Sequence, residues 1–569
     1  MTFPLIYNSF TGGQIVTDGL VGRTLEGRSD IQLYATSLRR CSNWIPLTGG
    51  ALFKRPGLKR IARLDDLVVV RPFIFNESQV YLFAFRSSGL LNVYRNDVLV
   101  AADISIPWTA SQLPHVKFTQ SLDTWIGFHG DVVTTSIKRG ANDSIWNVST
   151  ISWANQWTKD FGAGAEAVFS ATRGYPRCGA FHQNRLIVAG TTFLPQTIWG
   201  SVVGSFFDMN HGTTDDDMSF EFTLAANEVN TVQDIFSVAK RLIINTSYRE
   251  WTETSTPITP TKVQFNMETR HGMLDTGIRS VGVDSASLFV DRQSQLRVFS
   301  YDFSSDSFVA QKVTTLAPGI LKTPTDAAFC RGFLESNLIF FRNSNGSITT
   351  LTLDMEQKVR AFSTFDVGEG SILSICGLDE NLYAVMEFNG KRFVTKFTTD
   401  HYIDLWTSAS SGSPTTNWNA FTDFAGKTVT VIGDGVIFPS VAVDGSGNFV
   451  LPNPVSSIVI GVKYISLAET LPLMPTVGEP TKGKRVRKVN AVLQLRATKD
   501  IWVNGRRIEL RKFGDHLLDQ PVEQIDRMKG RVALSGSATE TTVIIESRDP
   551  LPALLLSLVV NFRAPGPRP

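Results

Sequence analysis

The chain has 569 residues, 42% hydrophobic and 19% charged, and its 55 Lys and Arg against 53 Asp and Glu leave a net charge of +2. That length is too great for one hydrophobic core and predicts roughly two to four domains, while the composition excludes a large disordered block. The near-neutral balance argues against a dedicated nucleic-acid binder, whose footprint is a basic domain.

The first stretch, residues 8–61, carries two glycine pairs, Gly12-Gly13 and Gly49-Gly50, and the turn Arg55-Pro56-Gly57. Paired glycines let the backbone take φ > 0 or approach another chain closely. Between them Leu33, Tyr34, Leu38 and Cys41 fall at helical spacing, which predicts a short amphipathic helix capped by Asp30. An ordinary N-terminal arm would carry the same signals. The start Met1-Thr2-Phe3-Pro4-Leu5 lacks a basic-then-apolar signal pattern, so a chain kept in the cytoplasm is expected.

From about residue 67 to 397 the chain reads as strand after strand. The runs 68–75, 79–85 and 90–95, then Val98-Leu99-Val100 after the turn Asn96-Asp97, make one four-stranded set. Similar sets begin near Lys117, Gly179, Val232, Ser287, Asp326 and Ser371, at the interval of about 40–50 residues expected of propeller blades. The clearest hairpin joins 336–342 to 347–353 through Asn343-Ser344-Asn345-Gly346. After Thr398 the small polar run Ser408-Ala409-Ser410-Ser411-Gly412-Ser413-Pro414-Thr415-Thr416 reads as a flexible loop. Strands resume at 428–432, with a turn at Gly433-Asp434-Gly435 and a hairpin around 443–447. Further strands are read over 455–464 and 489–495. The longest apolar run, 551–560, falls short of the roughly 18–20 residues a spanning helix needs and reads as a buried terminal strand.

Candidate chemistry is sparse. Cys41, Cys178, Cys330 and Cys376 lie far apart and never in a metal-ligand pair, so buried reduced thiols are expected. Asp215-Asp216-Asp217 could hold a hard cation, but adjacent residues of a strand point to opposite faces, and a loop edge is the simpler reading. No G-x-x-x-x-G-K-[ST], H-E-x-x-H or G-x-S-x-G is present, and the acids lie singly rather than as a glycosidase pair. No catalysis, cofactor or metal is expected. The most basic region is Lys482, Lys484, Arg485, Arg487 and Lys488 with Arg506, Arg507, Arg511 and Lys512, read either as a contact with DNA or an acidic partner or as a solvated face.

Several strings taken together carry a family resemblance. They are Ser9-Phe10-Thr11-Gly12-Gly13, Gly22-Arg23, Gly27-Arg28-Ser29-Asp30, Tyr34-Ala35, Leu38-Arg39-Arg40-Cys41-Ser42-Asn43, Gly49-Gly50 and Arg55-Pro56-Gly57. Leu113-Pro114 with Lys117-Phe118-Thr119-Gln120-Ser121 follows, then Gly174-Tyr175-Pro176-Arg177-Cys178, Phe181-His182-Gln183-Asn184-Arg185-Leu186, Pro195-Gln196-Thr197-Ile198-Trp199 and the Asp triplet. The set resembles the short-tailed (podoviral) phage tail proteins known as tail tubular protein B, nozzle or stabilisation proteins. Trp44 and Thr48 depart mildly from that pattern, and the last third resembles the family only in texture.

The resemblance, with the spacing, implies a mainly β chain. It would have an N-terminal arm over 1–62, a β-propeller of roughly six or seven blades over 63–400, and a small all-β domain over 401–569. It implies a virion protein of the short tail, assembled in the host cytoplasm. A hexameric ring would sit below the adaptor or tail-tube protein and extend the DNA-ejection channel. Tail fibres are a further partner, viral DNA passes without sequence-specific binding, and the host envelope is met indirectly. Gly12, Gly13, Arg23, Arg28, Asp30, Tyr34, Arg39, Arg40, Asn43, Gly49, Gly50, Arg55, Pro56 and Gly57 are then interface candidates, the arginines as bidentate anchors. The basic patch would sit at a protein contact, because cations lining a conduit would hold passing phosphates. A virion-attached glycan-binding adhesin is the alternative, and a polysaccharide-cleaving tailspike a third reading.

Overall fold

The computed structural model describes residues 2–15, 24, 31–162, 164–238, 240–472, 485–508, 510, 524, 530–535, 537–538 and 541–563. Short apolar runs, each ended by a turn, dictate strands, and the regular structure of these residues is almost entirely β. Seven antiparallel four-stranded sets, here called meanders, dominate: five are separate sheets, the sixth lies within a ten-stranded sheet and the seventh within an eight-stranded one. The first is Leu67–Asn76, Gln79–Arg86, Leu90–Arg95 and Val98–Ser105. Asn96 and Asp97 take φ of 50° and 66° between its last two strands, the backbone a two-residue type I′ hairpin requires. The next five open with Lys117–Ser121, Cys178–His182, Val232–Val238, Val281–Val283 and Pro324–Phe333.

The seventh differs in kind. Only three of its strands, Ser371–Leu378, Asn381–Phe388 and Lys391–Thr398, come from its own stretch of chain. Its fourth is Gly57–Arg63, which runs antiparallel to Lys391–Thr398 with Gly57 opposite Thr398.

Packing between meanders follows from the two apolar faces of each sheet. Aromatics dominate between the first and second, where Phe73 and Tyr81 meet Trp146 edge-on at 5.0 and 5.2 Å. Such pairs add about 0.5–1.5 kcal/mol each beyond area burial. Buried clusters likewise join the second to the third, the third to the fourth, the fourth to the fifth and sixth, and the sixth to the seventh. Leu67, Val70 and Leu82 of the first meander pack with Cys376, Tyr383 and Val394 of the seventh.

Beyond Thr398 no polar linker intervenes. The run read as a flexible loop lies inside the strand Asp404–Trp418, which pairs with Phe449–Val462 with a register shift between Ser410 and Thr415. Serine and threonine serve a strand whose outward face is wet, so polarity alone did not mark a loop. Thr428–Gly433 pairs on one side with Phe449–Val462 and on the other with Val436–Ala442. The turn around residues 443–447 is therefore a crossover rather than a hairpin. A bridge from Trp406 to Lys59 ties this sheet to the seventh meander through the Gly57–Arg63 strand.

The first residues are not a projecting arm. Thr2–Tyr7 pairs with Leu554–Arg563, Ser37–Ser42 with Ser466–Thr470, and Leu52 and Phe53 with Leu555 and Leu554. Tyr7, Phe10, Leu38, Cys41, Trp44 and Leu52 share one buried core with the C-terminal strands. Leu554–Arg563, the expected terminal strand, lies inside its sheet, between Leu52–Lys54 and Val486–Arg496. The expected amphipathic helix is a 3₁₀ turn, Gln32–Thr36, followed by the strand Ser37–Ser42. Ladder bonds to two neighbours outweigh helical spacing there. All four cysteines are free and buried.

Candidate functional site

Asn43, Arg55, Pro56 and Gly57, four of the residues singled out in the opening stretch, converge on a buried joint, where the sixth and seventh meanders, the 404–462 sheet and the C-terminal strands meet. Arg55 is its centre, with no exposed side-chain surface. Its guanidinium holds Asp404 with both ends, Nη1 to Oδ1 at 2.8 Å and Nη2 to Oδ2 at 2.6 Å. Nε donates to Asn43 Oδ1 at 2.7 Å, and Nη2 also donates to the Asp366 carbonyl at 3.0 Å. The ring of Tyr464 stacks 3.5 Å from the guanidinium carbon, and its hydroxyl donates to the Arg55 carbonyl. Burial works against this charge, but the Asp404 carboxylate more than offsets it and holds the guanidinium above its ordinary pKa.

Asn43 is the second hub. It takes φ = 56°, which turns its amide toward Arg55 while Nδ2 donates to the Ile465 carbonyl at 2.8 Å. Its backbone carbonyl accepts from Ser466 Oγ and from Arg55 N. Pro56 supplies a carbonyl to Arg55, and the Gly57 amide donates to the His401 carbonyl at 3.0 Å. Arg55 and Asn43 therefore anchor the segment within its own chain, and the bidentate fork of Arg55, expected to meet a second subunit, is already occupied by Asp404.

Beside this knot Lys54 is fully buried, its Nζ donating to Ser547 Oγ at 3.0 Å and to the Asp549 carbonyl at 2.6 Å. Burial pushes its pKa down to about 7, an effect that the nearby Asp500 and Asp549 carboxylates only partly oppose. Between about 7 and the ordinary lysine value the unfolded chain binds a proton that the folded chain does not. The Lys54 contribution to stability therefore rises with pH across that window, and is least favourable below it. In Lys54→Met this rise is expected to disappear, seen as a smaller gain in urea midpoint from pH 6.5 to pH 9 than in the unaltered chain.

The other interface candidates divide by position. Gly12, Gly13 and Gly50 are buried, and Tyr34, also buried, donates its hydroxyl to the Pro472 carbonyl at 2.9 Å. Gly13 (φ +59°) lies against Phe362, where a Cβ would come within 2.4 Å of the backbone nitrogen. Gly49 and Arg40 are exposed, and Arg39 lies 3.6 Å from Glu469 in a partly exposed ion pair. Arg23, Arg28 and Asp30 lie outside the described residues, as do Lys482 and Lys484. Arg485 and Arg487 are exposed two residues apart, while Lys488 donates to the Thr542 carbonyl at 2.8 Å. Arg506 and Arg507 belong to another sheet, Arg506 bonding the Ala533 carbonyl and Arg507 pairing with Asp549 at 3.3 Å. The basic run is thus divided between two sheets.

Two motifs of the middle third meet in space. Arg185, 1% exposed, gathers the carbonyls of Ser201, Asp216 and Met218 at 2.6–2.7 Å. The Asp triplet is consequently an exposed loop pinned by its backbone. No cluster of metal-ligating side chains occurs among the described residues. Sequence reasoning missed Asp404, Asp366, Tyr464 and Asp500, each an isolated residue far along the chain from the group it meets.

No family model matches the chain, and no curated protein does. Among solved structures, a crystal structure of BBS1N in complex with ARL6DN, soaked with lead, is similar over 59% of this chain and 92% of that one, at 9% identity and a TM-score of 0.35. The computationally designed Ika8 protein is similar over 60% of this chain and 99% of its own, at 8% identity and a TM-score of 0.33.

Proposed function

We propose that this chain is a wall component of a short phage tail, a nozzle-type protein whose copies form a hexameric ring below the adaptor and extend the DNA-ejection channel. In this reading its middle is a seven-bladed β-propeller, each meander one blade and the seventh closed by Gly57–Arg63. Clusters between successive meanders, and between the seventh and the first, support the count. Such sheets stiffen one another because no blade moves without disturbing two neighbours. A net charge of +2 lets DNA pass without being held.

The observation that carries the proposal is the linked motif set, and the part those motifs play in holding the fold supports it. Arg55, Asn43 and Arg185 bond backbone carbonyls and a buried carboxylate, the work of masonry. Adding the purified chain to tails that carry the adaptor ring but lack this protein is expected to complete the tail by a ring visible in negative stain. Virions without the chain that still show a complete tail and deliver DNA would overturn the proposal.

A further inference from the structure

We infer that the cavity where the first strands of the meanders converge is a binding site for a small oxyanion, held by Arg279. The cavity, of about 260 Å³, is lined by Arg71, Phe118, Phe236, Arg279, Asp326 and Cys376 among others. These residues come from six different meanders or from the segment just before one, so the site exists only when the chain is fully folded.

Of the three charged side chains lining the cavity, Arg71, Asp326 and Arg279, the first two are satisfied. Arg71 Nη1 meets Asp326 Oδ2 at 3.0 Å and the Val70 carbonyl at 2.9 Å. The same carboxylate oxygen accepts from Ser374 Oγ at 2.8 Å and from the Ile375 amide at 3.2 Å, so Asp326 is committed to the first and seventh meanders. Lys117 donates to the carbonyls of Gly277 and Ile278. Asp234 accepts from the Ser280 amide at 2.8 Å.

Arg279 is the exception. Its guanidinium carbon lies 4.2 Å from the centre of the Phe118 ring, but the group makes no hydrogen bond or ion pair among the described residues, and its Nε is buried without a partner. Burial lowers its pKa, Asp234 opposes that, and the like charge of Arg71 adds to the lowering. Of the charged side chains lining the cavity, Arg71 and Arg279 against Asp326 leave one positive charge in excess.

Arg279 is half-buried and its guanidinium lacks a hydrogen-bonding partner, so an anion entering beside it supplies the missing acceptor and countercharge. The guanidinium fork suits the paired oxygens of a phosphate or a carboxylate. At about 30 Å³ per water the cavity has room for such an ion with several waters.

The test is thermal unfolding and titration calorimetry of the full chain in inorganic phosphate, in acetate, and in chloride at matched ionic strength. A saturable rise in Tm above the chloride control is expected in at least one oxyanion. A rise in phosphate alone assigns phosphate, and a rise in acetate alone assigns a carboxylate. Arg279→Gln is expected to remove the rise while unfolding in chloride no earlier than the unaltered chain. Arg279→Lys, which keeps the charge and loses the fork, is expected to bind at least about tenfold more weakly. No rise above chloride, or the same rise in Arg279→Gln, would overturn the site.

Discussion

Arg55→Ala is expected to cost about 3–5 kcal/mol of stability, because it strands the fully buried Asp404 carboxylate and frees the carbonyls of Pro56 and Asp366. Urea unfolding of the purified chain measures this. Asp404→Asn alone leaves a buried guanidinium and is expected to be nearly as harmful. The double variant should lose less than the sum, since each single change leaves a different charge unpaired. The size of the effect separates two roles for this arginine. An anchor reserved for a neighbouring subunit would change the isolated chain by less than about 0.5 kcal/mol, as exposed substitutions do. The bidentate pair inside the chain predicts the larger loss.

Gly57→Ala is expected to be comparably severe. A Cβ there would lie 2.2 Å from the Ile403 carbonyl oxygen and 2.4 Å from that of His401, and neither backbone group can swing aside as a side chain would. The strand that completes the seventh meander would have to leave either its partner or residues 401–403, a loss of about 3 kcal/mol or more by the usual cost of forced overpacking. Gly49→Ala is the matched control. Gly49 looks equivalent in sequence, but a Cβ there meets nothing within 4 Å, and the change is expected to stay within about 0.5 kcal/mol. Thermal unfolding of both variants side by side gives the comparison.

What the sequence made legible was local. The Asn96-Asp97 turn, the Asn343–Gly346 region and the Asp434-Gly435 turn each sit where composition places them, because φ > 0 selects a few residue types at a fixed position. The starts of the sets near Lys117, Val232 and Ser371 coincide with observed first strands. Ser287 falls instead in a second strand, since the first strand of the fifth meander is only Val281–Val283. Long-range pairing left no trace in the pattern. Arg55 and Asp404 are 349 residues apart, and neither residue type nor spacing announces the pair. Glycines and arginines crowded near a terminus look the same whether they meet another subunit or the far end of their own chain. Burial separates the two, and burial is a property of the fold.

Native-state hydrogen exchange over residues 57–63 tests most directly whether the opening segment closes the molecule on itself. The backbone amides of Gly57–Arg63 are expected to exchange as slowly as those of Lys391–Thr398, opening with them as one unit. Fast exchange at residues 57–63 while the rest of the seventh meander stays protected would contradict the account.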